Sequence, residues 1–238
     1  MLKSESLNPG DAAPKCVVMA KRPVPGRVKT RLIGELSDHH AACVHAAMLD
    51  CVLKRLSEVF PGHLVLALDG GTDDPLTHPD PDLAIQLPDD TKLIDQDQGN
   101  LGDRLGHVWR TIGGGPAVFF GVDSPDVPMD ALKGIAHNLT LADAACGPVE
   151  DGGYWCLAAR QHAPNLLAGI DWGTPAVYHQ TRDAAEQAGL TLQELPAWHD
   201  VDDASDLTSL RDRLRDTREP ALIRLAQRLQ RITQDTQP

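Results

Sequence analysis

The chain has 238 residues, 42% of them apolar and 24% charged, and carries a formal net charge of −12. That length is enough for one large domain with a buried core, and the apolar content excludes global disorder. The negative balance argues against nucleic acid or an anionic membrane as a partner, because both repel a polyanion.

In chain order, the opening MLKSESLNPGDAAPK has no apolar stretch of the kind a secretory signal needs, and residues 1–14 are expected to form a flexible segment. Cys16–Ala20 (CVVMA) is a short apolar run ended by a Pro/Gly loop, which predicts a buried strand. Ser37 is predicted to cap a helix over residues 39–60, where Val44, Met48, Cys51, Val52 and Leu56 fall at helical spacing. Leu64–Leu68 reads as a second buried strand, and the Asp/Pro-rich stretch Gly70–Asp82 as a surface loop. Leu101–Ile112 is a predicted helix stopped by Gly113–Gly115, and Ala117–Val122 (AVFFGV) a predicted strand. Then come a helix at Met129–Leu139, strands at Ala142–Cys146 and Tyr154–Ala158, and a helix at Thr174–Ala188. A strand at Thr191–Leu195, a helix at Ala204–Leu214 and a final helix after Glu219 complete the reading, with fraying at the closing TQDTQP. Strands alternating with helices predict a mainly parallel sheet covered on both faces, with ligands bound beyond the carboxyl ends of the strands. The loops after Ala20, Val122 and Cys146 then share one rim.

No apolar run approaches the roughly 18 residues needed to cross a bilayer. The cysteines (Cys16, Cys43, Cys51, Cys146 and Cys156) are odd in number and lack C-x-x-C spacing, so buried reduced thiols and a cytoplasmic location are expected.

Charge is unevenly spread. Lys21–Arg31 (KRPVPGRVKTR) holds five cations and no acid. A glycine that admits close backbone approach, flanked by cations, suits phosphate binding, although a plain solvated basic turn has the same composition. It is not a Walker A loop, because Val28 rather than glycine precedes Lys29-Thr30. Asp123-Ser124-Pro125-Asp126 follows AVFFGV, where a carboxylate can hold a hard divalent cation or cap the next helix. His199-Asp200-Val201-Asp202-Asp203 is a second acidic cluster, in which Asp203 also suits a helix cap. Zinc is disfavoured, because the ten histidines show neither H-E-x-x-H nor a Cys/His pair at ligand spacing. Glu150–Trp155 (EDGGYW) admits close approach of a ligand or a simple hairpin turn, and Gln98–Arg104 (QGNLGDR) has the groups to read a base or ribose.

Taken together, Met19–Leu32, Gln98–Leu105, Gly121–Asp126, Gly147–Tyr154 and Asp200–Leu207 resemble the bacterial family of rSAM/selenodomain-associated, arsenosugar-biosynthesis-type glycosyltransferases. That family is similar in turn to 2-phospholactate guanylyltransferase and the molybdenum-cofactor guanylyltransferases. The resemblance spans roughly Cys16 to Leu210. It implies an α/β, GT-A-type nucleotide-diphospho-sugar transferase fold: a Rossmann-like, mainly parallel sheet with helices on both faces and a small antiparallel extension. It also implies a single transferase domain over residues 15–216, followed by a C-terminal helix and tail over 217–238. By position, Lys21, Arg22, Gly26, Arg27, Lys29 and Arg31 would line the phosphate site, with Lys29, Arg31 and Asp123 as the catalytic set. Gln98, Gly99, Asn100 and Gly102 would approach the nucleotide, and Asp151, Gly152, Gly153 and Tyr154 the acceptor. Asp123 would be the principal metal carboxylate and Asp202 the second, with Asp200 the alternative, holding Mg²⁺ or in its place Mn²⁺. Trp172-Gly173-Thr174 departs from the Trp-Ser-Thr usual in the family. The implied partners are a nucleoside triphosphate or a nucleotide sugar and a small-molecule acceptor. Nucleotidylyl transfer is favoured slightly over glycosyl transfer, because a dense cationic loop suits a triphosphate. A non-catalytic nucleotide-binding module is the remaining alternative.

Overall fold

The computed structural model describes residues 13–72 and 76–234. The predictions for residues 1–12 and for the last four residues lie outside that range. The elements run β1 (Lys15–Lys21), α1 (Asp38–Val59), β2 (Leu64–Asp69), β3 (Lys92–Asp95), α2 (Leu101–Thr111), β4 (Ala117–Phe120) and α3 (Met129–Leu141). They continue with β5 (Ala144–Pro148), β6 (Tyr154–Ala159), α4 (Val177–Gln187), β7 (Leu192–Glu194), α5 (Ala204–Arg213) and α6 (Pro220–Gln234). Seven strands form one sheet in the order β3-β2-β1-β4-β6-β5-β7. All neighbours pair in parallel except β6, which runs antiparallel between β4 and β5.

Two-residue periodicity makes this a three-layer molecule. In β1, Cys16, Val18 and Ala20 point into a core shared with α1, α3, α5 and α6, while Val17 points into a second core under α2 and α4. β2 divides in the same way, Leu64, Leu66 and Leu68 on one face and Val65 and Ala67 on the other. Both faces are covered, so the strands read as continuous apolar runs rather than alternating ones. α6 buries Ala221, Leu222, Leu225, Leu229 and Ile232 in the same core as α1.

All five cysteines are buried and unpaired. Burial raises each thiol pKa, Cys43 to about 11 and Cys51 to about 12, so none is a thiolate nucleophile at neutral pH. No helix among the described residues is long and apolar enough to cross a membrane.

Beyond shifts of one or two residues at element ends, such as β4 and β5, the structure departs from the sequence-based expectation in three places. β3 was not anticipated: it is an edge strand with most of its residues exposed and no apolar run to reveal it. α4 starts at Val177 rather than Thr174, because the Thr174 hydroxyl donates to the Asp171 carbonyl and closes a turn first. The residue before α3 is Pro128, whose side chain makes no capping bond, so the Asp123–Asp126 segment does not cap that helix.

Candidate active site

The carboxyl ends of β1, β2 and β4 border a cavity of about 670 Å³. Lys21, Arg27, Lys29 and Arg31 line it from the basic loop, Arg104 from α2, Asp123 from the end of β4 and Asp202 from the segment before α5. Both signs of charge therefore meet in one cleft, with Met19, Leu105 and Phe119 supplying an apolar floor.

Lys29 is the centre of this arrangement. Its ammonium pairs with Asp123 Oδ1, donates to the Val201 carbonyl, and lies 3.6 Å from Asp202 Oδ1. Arg31 Nη1 donates to Asp202 Oδ2 at 3.2 Å. The Lys29 side chain is only 5% exposed, whereas Asp123 and Asp202 are 50% and 36% exposed and so remain open to a cation from solvent. The Lys29 backbone is left-handed, with φ 45°, where the chain turns into the 3-10 turn Thr30–Leu32. Such a conformation in a lysine costs about 1–3 kcal/mol and persists where surrounding contacts enforce it.

The local sequence holds the carboxylates in place. The Asp123 carbonyl accepts from the Val201 amide, tying the β4 loop to the second acidic segment. In that segment Asp203 caps α5, accepting from the Ser205 and Asp206 amides, and the Asp206 carboxylate in turn accepts from the Asp202 and Asp203 amides. Asp203 is therefore structural and Asp202 faces the cleft. Asp126 is structural too: it is buried, pairs with Arg213 at 2.6 Å and accepts from Trp198 Nε1.

A divalent cation fits these donors. Asp123 and Asp202 both reach one ammonium, and Asp151, Asp200 and Asp202 present carboxylate oxygens within 4.8 Å of one another. Burial, followed by the charge of Asp151, raises the Asp200 pKa to about 6, with Asp202 and Asp123 adding to the rise. Carboxylate oxygens in this number are the ligand set of a hard cation.

The structure separates the remaining candidates. Gly99 lines the main cavity, whereas Gln98 and Gly102 line a second hollow of about 300 Å³ on the other side of the α2 N-terminus. Asn100 is the cap of α2, in a reciprocal capping box with Asp103. Gly102 is a packing glycine, since an added Cβ would lie 2.5 Å from the Trp172 indole and 2.9 Å from the Leu167 carbonyl. Arg22 turns away from the cavity and donates to the Gly71 carbonyl at 2.9 Å. Gly26 sits at φ +76° in the turn of the basic loop, against Asp38. Gly152 has φ +90° and lies against the Pro175 backbone, while the Gly153 amide donates to Asp151. Tyr154 lines the cavity, and its hydroxyl is buried.

Three contributors were missed in the sequence. Gln96 is buried and donates to the Ala20 and Ala67 carbonyls, joining the ends of β1 and β2. Its oxygen accepts from Arg104, which also pairs with Asp69 at 3.1 Å. No local motif marks Gln96 or Asp69, because only the strand order brings them together. His45, from α1, donates from Nε2 to the Lys21 carbonyl at 2.9 Å and anchors the start of the basic loop.

Burial lowers the His45 pKa, so the folded state holds the ring neutral. An unfolded histidine titrates near about pH 6.5. Below that pH the unfolded chain binds a proton that the folded chain binds less readily, so the His45 contribution to stability falls as pH falls. In urea titrations the stability margin of wild type over His45→Gln should shrink between about pH 7.5 and about pH 5.5. A margin independent of pH would contradict this assignment.

The fold is that of the nucleotide-diphospho-sugar transferases. A Desulfovibrio desulfuricans G20 protein described as a candidate nucleotide-diphospho-sugar transferase superposes with a TM-score of 0.77 at 27% identity, covering 94% of this chain and 98% of the other. The chain belongs to the bacterial family described as "Uncharacterized protein conserved in bacteria (DUF2064)", whose model matches residues 52–174. More distant structures share the fold. CMP:2-keto-3-deoxy-manno-octonic acid synthetase complexed with CTP gives a TM-score of 0.53 at 14% identity, covering 86% of this chain and 99% of that one. A cytidylyltransferase from Leptospira borgpetersenii serovar Hardjo-bovis gives 0.51 at 13%, covering 95% and 99%. No curated protein matches the chain.

Proposed function

We propose that this protein is a metal-dependent transferase acting on a nucleotide, and that it transfers a nucleotidyl group from a nucleoside triphosphate to a small phosphorylated acceptor. The carrying observation is the two-sign cleft: Lys21, Arg27, Lys29 and Arg31 against Asp123 and Asp202 at the carboxyl ends of the strands. In the reaction an acceptor phosphate oxygen attacks the α-phosphorus, the bond to the bridging oxygen breaks, and pyrophosphate leaves. Charge gathers on phosphate oxygens, so preorganised cations do most of the catalytic work. Lys29 and Arg31 would neutralise that charge, Lys21 and Arg27 would hold the outer phosphates, and Gly99 and Arg104 would border the nucleoside. Asp123, with Asp202 or Asp200, would hold Mg²⁺ or Mn²⁺, which when bound supplies charge neutralisation at the phosphates. The turn Asp151–Tyr154 would border the acceptor.

Glycosyl transfer from a nucleotide sugar is the second reading, favoured by the description of the Desulfovibrio relative. The two separate in one experiment: incubation with each nucleoside triphosphate, guanosine triphosphate first, and with UDP- and GDP-sugars, in the presence of Mg²⁺ and a panel of sugar phosphates. Pyrophosphate release dependent on an acceptor is the expected result. Turnover of a nucleotide sugar without pyrophosphate release would overturn nucleotidyl transfer.

A further inference from the structure

A second cluster of ligating atoms lies on α1, built from residues that the proposed reaction does not use. His39 and Cys43 stand four residues apart in α1 and so share one helical face. This i, i+4 pair corrects the sequence-based expectation that no Cys/His pair stands at ligand spacing. Opposite them stands Asp80, from the acidic loop between β2 and β3. His39 Nε2 lies 3.0 Å from Asp80 Oδ2 and 3.5 Å from Cys43 Sγ, and all three ligand atoms fall within 4.8 Å of one another.

We propose that His39, Cys43 and Asp80 form a binding site for a borderline divalent transition-metal ion, zinc by chemical class, with water as the fourth ligand. The donor set is one imidazole nitrogen, one sulfur and one carboxylate oxygen, which suits tetrahedral Zn²⁺ and not the all-oxygen preference of Mg²⁺. Cys43 is buried at the base of the site, while His39 is 47% exposed and leaves an entry path. Asp80 is already oriented. Its Oδ1 accepts from the Asp82 amide, its carbonyl accepts from the Leu83 and Ala84 amides, and Oδ2 is left facing His39. The neighbouring Asp82 already has cations near it, Arg228 at 3.9 Å and Arg231 at 3.6 Å, whereas Asp80 pairs with His39. Binding releases the Cys43 thiol proton to solvent. The bound ion would tie Asp80 to α1. Asp69, at the end of β2 before the acidic loop, pairs with Arg104, and both line the cleft.

Co²⁺ titration of the chelator-treated full chain tests the proposal, because a thiolate ligand gives an intense near-ultraviolet charge-transfer band that the Asp123 and Asp202 carboxylates cannot produce. The band is expected to saturate at one equivalent, to vanish in Cys43→Ser, and to need at least about tenfold more Co²⁺ in Asp80→Asn. Zn²⁺ should compete it away and raise the melting temperature of wild type by more than that of Asp80→Asn. Absence of the band in wild type, or its persistence in Cys43→Ser, overturns the proposal. An equal Zn²⁺ stabilisation of Asp80→Asn does so independently of how well the cysteine variant folds.

Discussion

Replacing Lys29 by methionine should lower nucleotide turnover by about 10²–10³-fold, the usual cost of removing one preorganised charge-stabilising group. Methionine keeps the apolar stem of the side chain, so the loop retains its packing. What is lost is the ammonium that pairs with Asp123, lies 3.6 Å from Asp202 and donates to the Val201 carbonyl. The same change should tighten divalent-cation binding at those carboxylates, because the competing positive charge is gone. Steady-state kinetics and a Mg²⁺ titration on the one variant report both effects. Turnover within twofold of wild type would make Lys29 a structural bridge only.

Arg55→Leu should destabilise the fold by about 3–5 kcal/mol. Arg55 is 2% exposed. It donates to Glu219 at 2.5 Å and 3.1 Å, to the Pro125 carbonyl at 2.7 Å and to the Val127 carbonyl at 2.6 Å. Leucine fills part of the space but leaves the half-buried Glu219 carboxylate and two buried carbonyls without this charged donor, and groups left unpaired in that way are what make such losses large. For a chain of this size the melting temperature should drop by about 10 °C. Because Arg55 clamps the loop that continues from Asp123, cation affinity should weaken in parallel. The double variant with Glu219→Gln should be destabilised by less than the sum of the single changes. A loss below about 1 kcal/mol for Arg55→Leu would show that the clamp is not needed.

The order of helices and strands was readable because most strands are buried on both faces and announce themselves as apolar runs. β3 (KLID) was not, since an edge strand with one covered flank carries no such run. The cationic loop was equally plain, but composition could not say which cations face the cleft. Arg22 and Lys21 are adjacent in sequence, yet one donates to Gly71 and the other lines the cavity. The acidic clusters behaved similarly. Asp123 and Asp202 reach Lys29, while Asp126 and Asp203 serve an arginine and a helix cap, a division set by how β4 and α5 are packed. Gln96 and Asp69 become visible only when β1, β2 and β3 lie side by side, because their partners come from other strands and from α2. His39 and Cys43 were within reach of periodicity alone. Asp80, which completes their cluster, was not, since it lies in a loop with no periodic pattern.

In the proposed function, one cleft binds a nucleotide through cations on one wall and a divalent ion on the other. Calorimetric titration of nucleoside triphosphates into wild type and Asp123→Asn, with Mg²⁺ and with chelator, tests it most directly. Binding to wild type is expected to strengthen with Mg²⁺, and binding to Asp123→Asn to respond no longer to the metal. Equal Mg²⁺ dependence in both proteins, or no nucleotide binding to wild type under either condition, would contradict it.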